Sequence, residues 1–191
     1  MSFKKQISEE QIQELELRAF EGEVVFLTTL EEAQEAAQRM KEAGMVGIDT
    51  ETKPTFKKGV THKVALLQLG LEDTVYMVQL IHVGLLKPIA AILNDPKIIK
   101  VGIGTRDDVR TLKRDYGCTP KNVVDLNILA KSRGFKSIGA KKLTAIVLGF
   151  RIAKGGWRSN WEHKKLTESQ ISYAATDAWI CHQIYRALHS K

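Results

Sequence analysis

Asp49 and Glu51 lie two residues apart in MVGIDTE (45–51), a run whose alternation predicts a strand. Side chains two apart on a strand share a face, so both carboxylates point the way of Gly47, while Val46, Ile48 and Thr50 point the other way. Two like charges held close and partly desolvated repel, and one of them tends to keep its proton. A divalent cation relieves that repulsion, and hard carboxylate oxygens suit Mg²⁺ or Mn²⁺. The same pair also fits a polar strand end running into the loop Thr52–Thr61. Tyr173 and Asp177 are four apart, so on a helix they stack on one face. Ile171, Ala174, Ala178 and Cys181 form an apolar stripe on that helix, and Ile180 and Ile184 continue the line of Tyr173 and Asp177. An aspartate in such surroundings needs a partner: a metal, the tyrosine or a basic residue. Asp107 and Asp108 open another helix, where the macrodipole favours acids in any case. Asp108 is the stronger candidate, because Leu112 one turn on would turn that face toward a core.

These residues need elements to hold them. VVFL (24–27) reads as a short strand, and Thr29 with Glu32 as the capping box of a helix ending at Gly44. KVALLQLG (63–70) and TVYMV (74–78) form an antiparallel hairpin across a short turn. Gly84–Asn94 keeps helical spacing, and IIKVGI (98–103) is the apolar run of a buried parallel strand. A helix is predicted from Arg106 to Tyr116, closed by Gly117. NVV (122–124) is a strand, with Asp125 placed to cap the next helix, and Lys141–Leu148 is helical. Thr167 with Gln170 opens the helix that runs to His189. Residues 1–22 read as a charged helical extension, and 23–191 as the domain proper. Early strands followed by strand–helix alternation imply an α/β fold with a mixed sheet covered by helices.

At 191 residues, the chain has room for one domain with a real core. Its 43% hydrophobic and 27% charged content is ordinary for a globular protein. Nothing approaches ~18 consecutive apolar residues, and the polar N-terminus lacks an apolar signal core, so a cytoplasmic protein is expected. Cys118 and Cys181 are the two cysteines, which excludes a cysteine-ligated metal, and the five histidines share no ligand spacing. Gly102-Ile-Gly104 lacks the third glycine of a dinucleotide fingerprint, and there is no P-loop or G-x-S-x-G. The net charge of +7 is unevenly spread. Residues 1–45 hold ten Glu against five Lys and Arg, whereas 131–165 holds ten Lys and Arg against Glu162 alone. That asymmetry can steer a polyanion. Trp157 and Trp161, beside Arg158 and Lys164, fit either base stacking or anchoring of their loop.

Three motifs in order make the chain resemble the DEDD exonucleases of the DEDDy subtype, closest to the RNase D and Werner-type branch. They are VGIDTET followed by KVALLQLG, then KVGIGTRDDVRTL, then LTESQISYAATDA preceded by RSNW. The resemblance spans about residues 23–189 and implies an RNase H-like mixed five-stranded sheet flanked by helices. It implies a 3′–5′ exonuclease that hydrolyses nucleic-acid phosphodiester bonds with two Mg²⁺ or Mn²⁺ ions. Asp49, Glu51 and Asp177 would hold one ion, with Asp49 bridging to a second held by Asp108. Tyr173 would orient the attacking water. Thr50, Lys154 and Arg158 are the candidate contacts to the nucleic acid, with Lys164 and Lys165 behind them. A catalytically silent nucleic-acid-binding module of the same fold is the alternative.

Overall fold

The computed structural model describes residues 3–57, 59–156 and 159–190. The strands are β1 (Glu23–Phe26), β2 (Met45–Thr52), β3 (Val64–Gly70), β4 (Thr74–Val78), β5 (Ile99–Gly102) and β6 (Val123–Asp125). The helices are α1 (Glu9–Gln13), α2 (Leu30–Ala43), α3 (Leu80–Val83), α4 (Lys87–Asn94), α5 (Arg106–Tyr116), α6 (Leu126–Ser132), α7 (Ala140–Leu148) and α8 (Glu168–His189). The strands form one mixed sheet in the order β1-β4-β3-β2-β5-β6. β3 pairs antiparallel with β2 on one side and β4 on the other, while β1, β5 and β6 join in parallel.

The sheet therefore has six strands among the described residues, one more than the five expected. The runs read as strands in the sequence already number six, VVFL among them, and the five came from the resemblance. As β1, that run pairs with β4 from Glu23↔Thr74 to Phe26↔Met77 and covers what would be an open edge. The N-terminal segment is also less helical than expected, because among its described residues only Glu9–Gln13 is helical. A helix that short has little stability of its own. The flanking backbone bonds to the body instead. Lys136 N donates to Lys5 O at 2.7 Å, Arg151 N to Glu16 O at 2.9 Å and Arg18 N to Arg151 O at 2.9 Å. Phe20 N donates to Thr176 Oγ1 on α8 at 3.0 Å. The helix expected over 84–94 starts later, since Gly84, at φ 72°, closes α3 before α4 begins.

Both faces of the sheet are covered. Val46, Ile48, Leu67, Leu69 and Tyr76 pack with Ala33, Ala36 and Met40 of α2 and with Ile89, Ile92 and Leu93 of α4. On the opposite face, Leu66 and Met77 meet Ala174, Ala175 and Ala178 of α8, and Val101 meets Ile180 and Ile184. Lys100, inside the apolar β5 run, is fully buried. Its ammonium donates to Asp95 O at 2.7 Å and Ile98 O at 2.8 Å, beside the end of α4. Burial lowers its pKa to about 8. Both cysteines are free and buried. Among the described residues no helix is long and apolar enough to cross a membrane.

α8 comes unusually close to the sheet at two glycines. Gly47 and Gly70 are cross-strand partners on β2 and β3. A Cβ at Gly47 would lie 2.0 Å from Ala178 O, and one at Gly70 would lie 2.8 Å from the same carbonyl. A strand glycine at a close backbone approach has no tolerated replacement. Gly47→Ala should therefore destabilise the fold by about 3 kcal/mol or more, the upper end of overpacking costs. Equilibrium urea unfolding measures this. A midpoint unchanged from the native protein would show that α8 is free to lift.

Candidate metal and catalytic site

Three elements meet at the acidic side chains. β2 carries Asp49 and Glu51, aligned in register with Gln68 and Leu66 of β3. α8 carries Tyr173 and Asp177, one turn apart, with Ala174 and Ala178 beneath them against the sheet. The start of α8 is set by its capping box: Gln170 N donates to Thr167 Oγ1 at 3.2 Å, and Thr167 N to Gln170 Oε1 at 3.0 Å. α5 carries Asp108 in its first turn, with Leu112 fully buried one turn on. Asp125 fixes the entry to α5 by accepting from Thr105 N at 3.0 Å, while its other oxygen accepts from Asn127 N at 2.8 Å.

Asp49, Glu51 and Asp177 each offer a carboxylate oxygen within 4.8 Å of the other two. Among the described residues no ion pair reaches any of them, nor Asp108. Burial and mutual repulsion both resist ionisation. Asp49 is held well above the carboxylate range, by burial first and then by Asp177, Asp108 and Glu51. Burial, Asp177 and Asp108 raise Glu51 to about 8. Burial raises Asp177 to about 6, and the neighbouring Tyr173 phenol opposes that rise. The Tyr173 phenol is itself pushed up by burial, then by Asp177 and Glu51, so it keeps its proton. A cluster of hard oxygen donors that repel one another and lack a cationic partner fits a divalent ion.

Asp108 stands apart from this group. The Thr50 hydroxyl donates to its Oδ1, from the opposite side of β2 in the strand's alternation. Burial raises the Asp108 pKa, and the Thr50 hydrogen bond opposes the rise. Asp107 differs, since it faces solvent and pairs with Arg110 at 3.0 Å. Thr50, expected at the nucleic acid, thus has its hydroxyl committed to Asp108. Lys154, Lys164 and Lys165 are exposed in the loop leading to α8, and Arg158 and Trp157 lie outside the described residues. Trp161 is fully buried and packs against Tyr173 with ring centroids 6.3 Å apart, so it is an anchor and not a stacking surface.

Two features were not foreseen. Gly156 lies on the Tyr173 ring, where a Cβ would come within 2.2 Å of it. Glu162 binds Lys53 Nζ and His62 Nδ1, each at 3.1 Å, and so ties the loop after β2 to the loop before α8. The glycines of RIAKGGW were a visible signal of close approach for the first. The second joins residues about a hundred positions apart and leaves no local trace.

A family model described as 3′–5′ exonuclease matches residues 24–191. A 3′–5′ exonuclease of Arabidopsis thaliana is 31% identical over 88% of this chain and 64% of its own length. Ribonuclease D of Gluconacetobacter diazotrophicus is 31% identical over 86% of this chain and 42% of its own. The chain thus spans less than two thirds of either relative. Among solved structures, RNase D of Trypanosoma brucei in complex with RNA U12 superposes with a TM-score of 0.78 at 19% identity. That match covers 90% of this chain and 64% of the other, and its fold is the one described above.

Raised carboxyl pKa values have a thermodynamic consequence. A folded-state pKa above the unfolded value contributes stability that is present in acid and lost as pH rises through the folded pKa. For Asp177, at about 6, and Glu51, at about 8, the loss falls across neutral pH. The metal-free melting temperature should accordingly drop between about pH 5 and pH 8, and Glu51→Gln should flatten that drop. Added Mn²⁺ should restore the native protein at the higher pH and leave Asp177→Asn nearly unmoved. Thermal scans with chelator and with Mn²⁺ test this. An equal Mn²⁺ response in both proteins would remove Asp177 from the metal site.

Proposed function

We propose, for a chain that belongs to the 3′–5′ exonuclease family, that it is a metal-dependent nuclease releasing mononucleotides from a nucleic-acid 3′ end. The observation that carries the reading is the group of Asp49, Glu51 and Asp177, oxygens within 4.8 Å of one another, with Tyr173 one helical turn from Asp177. The RNA bound by the Trypanosoma brucei relative supports a nucleic-acid substrate.

In this reading Asp49, Glu51 and Asp177 would hold one Mg²⁺ or Mn²⁺, and Asp108 with Asp49 would contribute to a second. Such ions, when bound, activate the attacking water and neutralise the leaving oxygen. The chain's own residues do the rest. The Tyr173 phenol keeps its proton, so it donates a hydrogen bond and fixes the orientation of a water beside Asp177. Gly156 and Trp161 leave that ring little freedom to swing, which keeps the hydroxyl in place. Thr50 holds Asp108 in a set orientation. Lys154, together with Arg158 in the same loop, would bind backbone phosphates and position the strand.

The direct test is a time course on 3′-labelled and 5′-labelled DNA and RNA with Mg²⁺, Mn²⁺ or chelator. Metal-dependent shortening from the 3′ end is expected. Binding without any turnover would favour a silent binding module. Tyr173→Phe should slow single-turnover cleavage by ~10²–10⁴-fold while metal binding persists. Asp108→Ala should be nearly inactive and Asp107→Ala active. The opposite order would exchange the roles of the two aspartates.

A further inference from the structure

The loop between β2 and β3 carries an aromatic side chain that the fold leaves in solvent. Phe56 is 86% exposed, whereas Phe135 and Phe150 are 4% and 7% exposed. A singly exposed apolar side chain is ordinary on a protein surface. What distinguishes this one is its place among lysines on a loop tied to the acidic site. The loop is not loose. At its tip, Thr55 Oγ1 accepts from Lys57 N and donates to Lys57 O, both at 3.3 Å, and Val60 N donates to Lys57 O at 3.3 Å. At its base, Glu162 takes Lys53 on one oxygen and His62 on the other. Arg114 Nη2 donates to His62 O at 3.0 Å, and Val64 N to Asp115 Oδ2 at 2.9 Å. Pro54 stiffens the outgoing stem. Glu162 adjoins Trp161, which packs on Tyr173. The loop backbone that carries Phe56 is thereby tied at its base to the elements of the acidic site.

The chemistry around the ring selects its ligand. Between Thr52 and Val64 there are four lysines, Lys53, Lys57, Lys58 and Lys63, and no acidic residue. Phe56 follows Glu51 by five residues, so the chain places it at most ~18 Å from that acid. An exposed flat apolar face among cations, within reach of a phosphodiester site, matches a nucleobase joined to phosphates. An internal base of a duplex has both faces covered by its neighbours, and the end pair of a blunt duplex offers only its outer face and stays held by its partner base. We infer that Phe56 is a stacking platform for an unpaired base of the substrate strand, with Lys57 at an adjoining phosphate. The site therefore takes single-stranded 3′ ends over blunt duplexes. This inference rests on the exonuclease reading for the strand's location.

Binding is measured by fluorescence anisotropy with labelled oligonucleotides, using the Asp177→Asn chain to prevent digestion. Phe56→Ala in that chain should weaken single-strand binding about tenfold or more, and Phe56→Trp should retain it. Moving one abasic nucleotide along the strand from the 3′ end should find a position that weakens Phe56-bearing protein and costs Phe56→Ala nothing further. Lys57→Ala should lower the salt slope by ~0.7, and Phe56→Ala should leave it unchanged. Equal affinity of Phe56→Ala and its parent, an equal abasic penalty in both at every position, or equal binding of blunt duplex and single strand would each overturn the inference. Turnover of the native chain on the same oligonucleotide is read separately. Cleavage that ignores Phe56→Ala sinks the platform alone. Phe56-dependent binding without release of mononucleotide upholds the platform and sinks the exonuclease reading.

Discussion

Ala178 rests with its carbonyl against two adjacent glycines of the sheet, Gly47 and Gly70, with no room for a methyl group between them. The height of α8 above β2 follows from that contact, and so does the distance between carboxylates on separate elements. Asp177 precedes Ala178, and Tyr173 lies a turn earlier, so seating Ala178 seats both. Asp49 and Glu51 follow Gly47 by two and four residues on the same face, so the notch and the acids share one strand register. A larger residue at either glycine would move one half of the site relative to the other. Small residues on the facing stripe of α8, Ala174 and Ala175 with Ala178, continue the close approach along the helix.

The proximity created there is unfavourable to the metal-free fold. The chain buries charge in two contrasting ways. Lys100 is surrounded by carbonyl oxygens at 2.7 and 2.8 Å, which satisfy its ammonium within the protein. Asp49, Glu51 and Asp177 receive no cation among the described residues, and their pKa values rise instead. A purely structural cluster would be expected to acquire an arginine or lysine, because an unpaired buried charge costs several kcal/mol. The deficit is carried by the rest of the core, where both faces of the sheet are packed with aliphatic side chains. Strain of this kind is sustained where it prepares a site for something to bind.

What was legible in the sequence follows the range of the interactions. Alternation in MVGIDTE put Asp49 and Glu51 on one face and Ile48 on the other, because strand period is a local property. The capping boxes at Thr29 and Thr167 located two helix starts, since the reciprocal bonds lie within four residues. Non-local bonds were not legible. The N-terminal segment reads as a helix by its own periodicity, yet Arg151, Lys136 and Thr176 supply its backbone partners from elsewhere. Strand β1 was legible as the VVFL run, but its parallel pairing with the edge of β4 was not. The hydrogen bond between Thr50 and Asp108, a contact across 58 positions, left no local trace either. Trp161 could be read as a surface or an anchor until its burial behind Tyr173 decided the matter.

The charge asymmetry of the sequence is partly consumed inside the fold. Glu9, from the acidic N-terminal segment, pairs with Lys141 of the basic segment, and that pairing first and then Lys154 and Lys142 hold its pKa below the usual range. Arg151 points its Nε at the carbonyl of Leu15, at 2.9 Å, and Arg133 donates to Leu188 O. These cations bind the chain to itself, and they lie on the side of α7 and the C-terminal end of α8. Lys154, Lys164 and Lys165, at the N-terminal approach to α8, have no carboxylate partner among the described residues. In the sequence those three cations precede Tyr173 and Asp177, and Lys53, Lys57, Lys58 and Lys63 follow Glu51. Glu162 joins these two lysine-bearing loops, the rims next to the acid-bearing β2 and α8, through Lys53 and His62. A polyanion drawn to both rims is brought to acids that would repel it, unless a cation stands between them. The surroundings of the cluster and its hard oxygen donors thus fit the same kind of ion, a divalent cation.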